Sequence, residues 1–252
     1  MTRTLTLALC LTLPSCDFFR QVGDTWQGLT HPLVALGTVL SVESPPTPGV
    51  DLEDTPYAEG TSLSLFLADA SSIDEVDDAP VVGAEVFLDG VEASDTEAGL
   101  YTIGPAGGLD YEEGATWSLD LHLGPDTATA DVSLPPTVVW SAPSSHAQGA
   151  DLLVDASGQD FDSLLVVVLD ASDQRVTWSN RPETPREIYD FTRGTTDLAV
   201  TVPGGEAFPE AGAYLVGVSG MENTGSGDLS GMNTALSTIM AGRMTMHGLP
   251  VE

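Results

Sequence analysis

Alternation of apolar and polar residues recurs along this chain, and that period of two constrains its fold more than any other feature. Ala115, Trp117, Leu119, Leu121 and Leu123 alternate with Thr116, Ser118, Asp120 and His122. Ala128, Ala130, Val132 and Leu134 do the same, as do Val82, Ala84, Val86 and Leu88, and Leu63, Leu65 and Leu67. Each run is short and bounded by Gly, Pro or Asp, the punctuation of strands and turns. No helical stripe extends beyond two turns. One-sided strands at this spacing predict an all-β chain built from antiparallel sheets stacked face to face, a β-sandwich. Leu33–Val42 reads as a first strand and 43–60 as a Pro- and acid-rich loop. Further on, Leu152–Val154, Leu164–Leu169, Leu198–Val202, Tyr214–Val218 and Ile239–His247 are strand candidates. Leu164–Leu169 is apolar throughout, so it is expected to be covered on both faces.

The N-terminus carries a different pattern. Arg3 precedes an apolar run from Leu5 to Leu13, and Leu13-Pro14-Ser15-Cys16 follows. Such a run is too short for a bilayer core of ~30 Å, which needs about 20 residues, but it has the size of a signal-peptide core. With Leu three residues before the Cys and a small Ser immediately before it, the segment resembles the bacterial lipoprotein lipobox. Pro14 departs from the small residue more usual there. The resemblance implies cleavage before Cys16, diacylation of its sulfur and attachment to the membrane through that lipid. Cys10 would leave with the signal and Cys16 would carry lipid, so no disulfide is expected. The implied location is exported and anchored in the cell envelope, in the outer membrane on its periplasmic or surface side. Asp17, directly after the Cys, resembles an inner-membrane retention signal of some enteric bacteria, which leaves the choice of membrane open.

Two further resemblances concern the body of the chain. Ala79–Gly90, then Ser94-Asp95-Thr96-Glu97-Ala98-Gly99-Leu100-Tyr101-Thr102-Ile103, is similar to the opening strands of a carboxypeptidase regulatory-like, or transthyretin-like, sandwich. That module has no catalytic centre of its own. Glu210-Ala211-Gly212-Ala213-Tyr214-Leu215-Val216 resembles the tyrosine corner of immunoglobulin-like sandwiches, in which the hydroxyl returns to upstream backbone. The missing Cys pair departs from true immunoglobulin domains. The whole arrangement resembles bacterial surface lipoproteins. The expected organisation is therefore a signal over 1–15, a lipid-anchored tether over 16–32, and two sandwich units in tandem over 33–136 and 137–252, with Pro135-Pro136 closing the first.

Charge removes several functions from consideration. Seven basic residues face 38 acidic ones for a net −31, and every basic residue is Arg. Such a surface repels phosphate backbones, so no nucleic-acid partner is expected. Without Lys there is neither a standard P-loop nor Schiff-base chemistry, and two Cys cannot build a cysteine zinc site. Residues 16–140 hold a single Arg against 23 acids, whereas 141–252 hold five against 15.

Within the less acidic half, Arg175, Arg181, Arg186 and Arg193 fall close together, interleaved with Trp178, Tyr189 and Phe191. Arg beside aromatics is the composition of binding surfaces, including those for sugars and anions. Arg175, Trp178, Arg181, Arg186, Tyr189 and Arg193 are thus the candidate partner-binding residues. The opposing reading is a long connection whose charges are neutralised locally by Glu183, Glu187 and Asp190. Two acidic clusters, one over 69–78 and one at Asp155, Asp160 and Asp162, suit the oxygen preference of Ca²⁺ but lack EF-hand spacing. No H-E-x-x-H, G-x-S-x-G or His pair at metal spacing occurs, and His122 and His247 fall on the polar side of their strands. No cofactor is expected and Ca²⁺ is kept as a hypothesis. The expected function is non-enzymatic, a structural or ligand- and partner-binding role, with envelope proteins or glycans as partners. A Ca²⁺-assisted adhesion or carbohydrate-binding module is the first alternative and a carboxylate-dependent hydrolase the last.

Overall fold

The computed structural model describes residues 29–43, 52–53, 55–96, 98–194 and 198–252. The chain is all-β, and the described residues form an eight-stranded sheet, a five-stranded sheet and a two-stranded one. The largest sheet contains β1 (Leu33–Val42), β2 (Gly60–Asp69), β5 (Ser94–Asp95), β6 (Leu100–Ile103), β10 (Ser163–Asp170), β11 (Val176–Ser179), β13 (Gly212–Asn223) and β15 (Thr238–Val251). Its spatial order is β11-β10-β13-β15-β1-β2-β6-β5. The smaller sheets join β14 (Leu229–Ser230), β8 (Asp126–Ser133), β7 (Thr116–Leu123), β3 (Glu85–Leu88) and β4 (Val91–Glu92) in that order, and β12 (Ala199–Val202) with β9 (Leu152–Asp155).

The expected runs became strands for the expected reason. In β7, Trp117, Leu119, Leu121 and Leu123 are buried while Thr116, Ser118 and His122 are exposed. Every residue of β1 is buried, and so is 164–169 of β10, because both of their faces are covered. Between β3 and β4 the chain reverses through Asp89 and Gly90, both at positive φ, the requirement of a two-residue hairpin turn that Asp-Gly meets. The 82–88 alternation forms a strand only from Glu85. Upstream, the Tyr101 hydroxyl donates to the Val81 carbonyl and accepts from the Ala84 N–H, each at 3.0 Å, which ties this stretch to β6 instead of to a ladder. Burial pushes the Tyr101 phenol up to about 12, so that this donor stays protonated. The Tyr214 hydroxyl donates to the Glu210 carbonyl at 3.0 Å, the upstream return expected of that segment.

One pairing was not anticipated. β1 and β15, near the two ends of the described chain, lie side by side in parallel, with Leu36 opposite Thr238 and Val42 opposite Met244. The main sheet therefore runs across the expected boundary at 136/137. That boundary instead falls between two cores on one face of the sheet. The first, containing Leu33, Ala35, Leu63, Leu119, Val132 and Ile239, lies between the main sheet and the five-stranded one. The second, containing Val154, Val166, Phe208, Tyr214, Val218 and Leu249, lies under β9 and β12. The opposite face carries a single core that includes Leu36, Leu40, Leu165, Leu215, Met240 and Met244. It is covered by the loop around Tyr57, a 3-10 turn (Ile73–Asp78) and a helix, α1 (Pro185–Arg193).

Candidate functional site

α1 stands where only an inter-strand connection was expected. Thr184 is its N-cap, Pro185 opens it, and Thr184 and Glu187 form a capping box. That signature is present in the sequence and would have found the helix. The helix buries Ile188 and packs Tyr189 and Phe191 against the single-core face.

The six candidate residues do not form one surface. Arg175 lies at the turn before β11 and pairs with Asp173 at 3.4 Å, both side chains being exposed. Trp178 packs against the core under β9 and β12, on the opposite face of the sheet from α1. Arg186 donates to Asp74 at 2.6 Å and to Asp190 at 3.0 Å, and these bonds raise its already high pKa. Arg193 lies 4.4 Å from the centre of the Tyr189 ring and donates to the Ala235 carbonyl. These arginines are engaged within the chain, but of the three neutralising acids expected only Asp190 pairs with one among the described residues, Asp173 and Asp74 supplying the other carboxylates.

Arg181 differs. Its guanidinium has no carboxylate partner among the described residues and lies 5.8 Å from the Tyr57 ring centre. It lines two adjacent hollows. One, of about 310 Å³, has Thr38 and Ser64 on the sheet below, and Tyr57, Ser179 and Glu183 around it. The other, of about 380 Å³, shares Ser179, Arg181, Pro182 and Glu183 and continues past Asp190 and Phe191. The Tyr57 hydroxyl lies 3.2 Å from the Ser179 hydroxyl and closes one wall. Asn180 is committed elsewhere: its side chain accepts from the Val166 N–H and donates to the Leu164 carbonyl, continuing the β10 edge. Thr38, Ser64 and Tyr57 are more than 100 residues away from Arg181 in sequence, and only the fold brings them to it.

On the opposite face a polar row separates the two cores. Arg243, Thr245 and His247 project from β15 between Ala241 and Leu249. Arg243 Nε lies 2.9 Å from Glu43 Oε1, although without hydrogen-bond alignment, and its Nη1 lies 3.5 Å from Glu113 Oε1. Thr245 donates to Glu43 at 3.2 Å. His247 packs edge-on against Trp140, 5.0 Å between ring centres, and its Nε2 is buried with no partner. It is thus half-buried in the seam, not the solvated side chain expected. Burial lowers its pKa, and the nearby Glu43 charge only partly opposes this. Glu222, at the end of β13, is shifted upward by burial and then by the Asp162 and Asp160 charges.

The acidic clusters are tied into the chain. Asp69 accepts from the Thr30 and His31 N–H groups and from the Thr30 hydroxyl; burial raises its pKa, but these bonds outweigh that and hold it below the usual range. Asp155 and Asp162 accept from the Ser157 and Asn223 N–H groups. Among the described residues no group of three or more His, Cys, Asp or Glu side chains converges as a metal site. Among them, too, no helix is long and apolar enough to cross a membrane. Cys16 and the expected signal over residues 1–15 lie outside the described residues. No protein-family model and no curated protein matches this chain.

Proposed function

We propose that this chain is a non-enzymatic, lipid-anchored protein of the bacterial cell envelope, whose all-β body serves as a ligand- or partner-binding module. The observation that carries the reading is the apolar run ending in Leu13-Pro14-Ser15-Cys16. An acyl chain on one cysteine, joined by a second, anchors a protein stably, whereas one chain alone does so marginally. The first strand begins at Leu33, 17 residues beyond Cys16, so the tether reaches at most roughly 60 Å. A body with this charge is repelled by anionic headgroups, which leaves attachment to the lipid. The envelope is also where glycans and other anchored proteins are within that reach.

Metabolic labelling with an alkyne-tagged fatty acid in a bacterial host tests the anchor. The wild-type chain is expected to take up label and partition with membranes, and Cys16→Ala to lose both. An unlabelled wild-type chain, or a Cys16→Ala chain that stays with the membrane, would contradict the reading.

A further inference from the structure

The hollow beneath Arg181 has a polar floor set into an otherwise apolar strand row. Along the single-core face of β1 the residues run Val34, Leu36, Thr38, Leu40, Val42. Thr38 interrupts an otherwise apolar row, and Ser64 lies directly opposite it on β2. Thr38 is only 6 % exposed, yet its hydroxyl has no partner among the described residues, and neither has that of Ser64. Neither hydroxyl is sealed from solvent, so both are open to the hollow, and Val at position 38 would fit the strand and the core as well. Both residues line the hollow, so their hydroxyls can bond to a molecule that enters it. The rim adds one cation, Arg181, and one carboxylate, Glu183, neither of them held in an ion pair among the described residues.

From this geometry we infer that the hollow is a binding site for a neutral saccharide, one or two sugar units long, with Thr38 and Ser64 bonding its hydroxyls from below and Arg181 from the rim. The inference rests on the binding role proposed above and names its ligand class. Hydroxyls both donate and accept, which matches sugar hydroxyls and not a fixed charge. One guanidinium and one carboxylate on the rim of the first hollow cancel, while the adjoining hollow adds the carboxylates of Glu187 and Asp190, which disfavour an anion. The acidic surface as a whole disfavours an anion. Pro56, Pro182 and Ile188 supply apolar walls for the C–H faces of a sugar ring. A volume of about 310 Å³ lies at the lower end of the range for small-ligand pockets, ~300–1,000 Å³, and the adjoining hollow gives room for a second unit. Trp178, one of the candidate partner-binding residues, is packed on the other face and takes no part.

The test is titration calorimetry on the full chain in a detergent without a sugar headgroup, repeated with the unlipidated Cys16→Ala chain. The probes are glucose, galactose, mannose and N-acetylglucosamine with their disaccharides, and glucuronate and glucosamine as charged comparators. At least one neutral probe is expected to bind both proteins. Thr38→Val and Arg181→Ala are each expected to weaken it by about tenfold, the loss of roughly one hydrogen bond, whereas Thr38→Ser retains binding. Thr38→Val is expected to melt no lower than wild type, which separates loss of binding from loss of fold. No binding by any neutral probe, preference for a charged comparator, or unchanged affinity in Thr38→Val would overturn the inference. Binding that survives in an unlabelled chain would overturn the anchor and leave the site standing.

Discussion

The two faces of the main sheet are built from the same strands and are organised differently. β15 shows the contrast most clearly. On one side it presents Met240, Met244 and Met246 to a single core, and on the other it presents Ile239 and Ala241, then Arg243, Thr245 and His247, then Leu249 and Val251. The polar triplet divides that second face into two apolar cores, one for each of the sandwich units that the alternation suggests. The undivided face has no such seam. Two units can therefore look separate in sequence and still depend on one another, because one face of a shared sheet is continuous beneath both.

The largest expected effect comes from breaking the undivided face. Leu36 is fully buried there, at the middle of the sheet. Leu36→Ala is expected to cost about 2–5 kcal/mol and to lower protection from hydrogen exchange in both β7 and β10, which sit on opposite sides of the seam. Leu121→Ala, in the core under the five-stranded sheet, should cost a similar amount but spare β10. Equal loss across the chain in both variants would show that the seam does not separate the cores.

A smaller effect sharpens the seam itself. His247 resists protonation in the fold because burial disfavours its charge, while in the unfolded chain it titrates near 6.5. The unfolded state therefore binds the proton more readily, and stability is lost as pH falls below about 6.5. The depressed carboxylates act at lower pH, outside this window. His247→Phe keeps the edge-on contact with Trp140 and removes the unpartnered nitrogen. Urea unfolding at pH 7.5 and 5.5 should show the variant slightly more stable than wild type and less sensitive to acid. Equal acid sensitivity in both would place His247 outside the seam's energetics.

Much of the strand pattern was legible because a one-sided strand writes its burial directly into sequence. The 115–123 and 127–134 alternations appear as β7 and β8 with the expected inward residues. The continuous apolar run in β10 is covered on both faces as expected. The β1–β15 pairing was not legible, since nothing local in Leu33–Val42 says which distant strand will lie beside it. β13 also runs on to Asn223, beyond the expected Tyr214–Val218, and passes Gly220 under the Phe161 ring, where a side chain would clash. The candidate site was half legible. Arg181 stood within the segment rich in Arg and aromatics, but its three arginine companions there are occupied by partners, a fact of contact and not of composition. Thr38 was visible only as one polar residue within an apolar strand, and its meaning came from the hollow above it.

The central claim is that one sheet joins both halves of the chain, and separate expression of residues 17–136 and 137–252 tests it most directly. Apart, the first fragment keeps β2 beside β1 but loses β15 from its other edge, and the second fragment exposes the β15 edge. The account predicts that neither fragment unfolds cooperatively alone and that mixing them restores a single cooperative transition. Two fragments that each fold and melt independently, with no change on mixing, would contradict it.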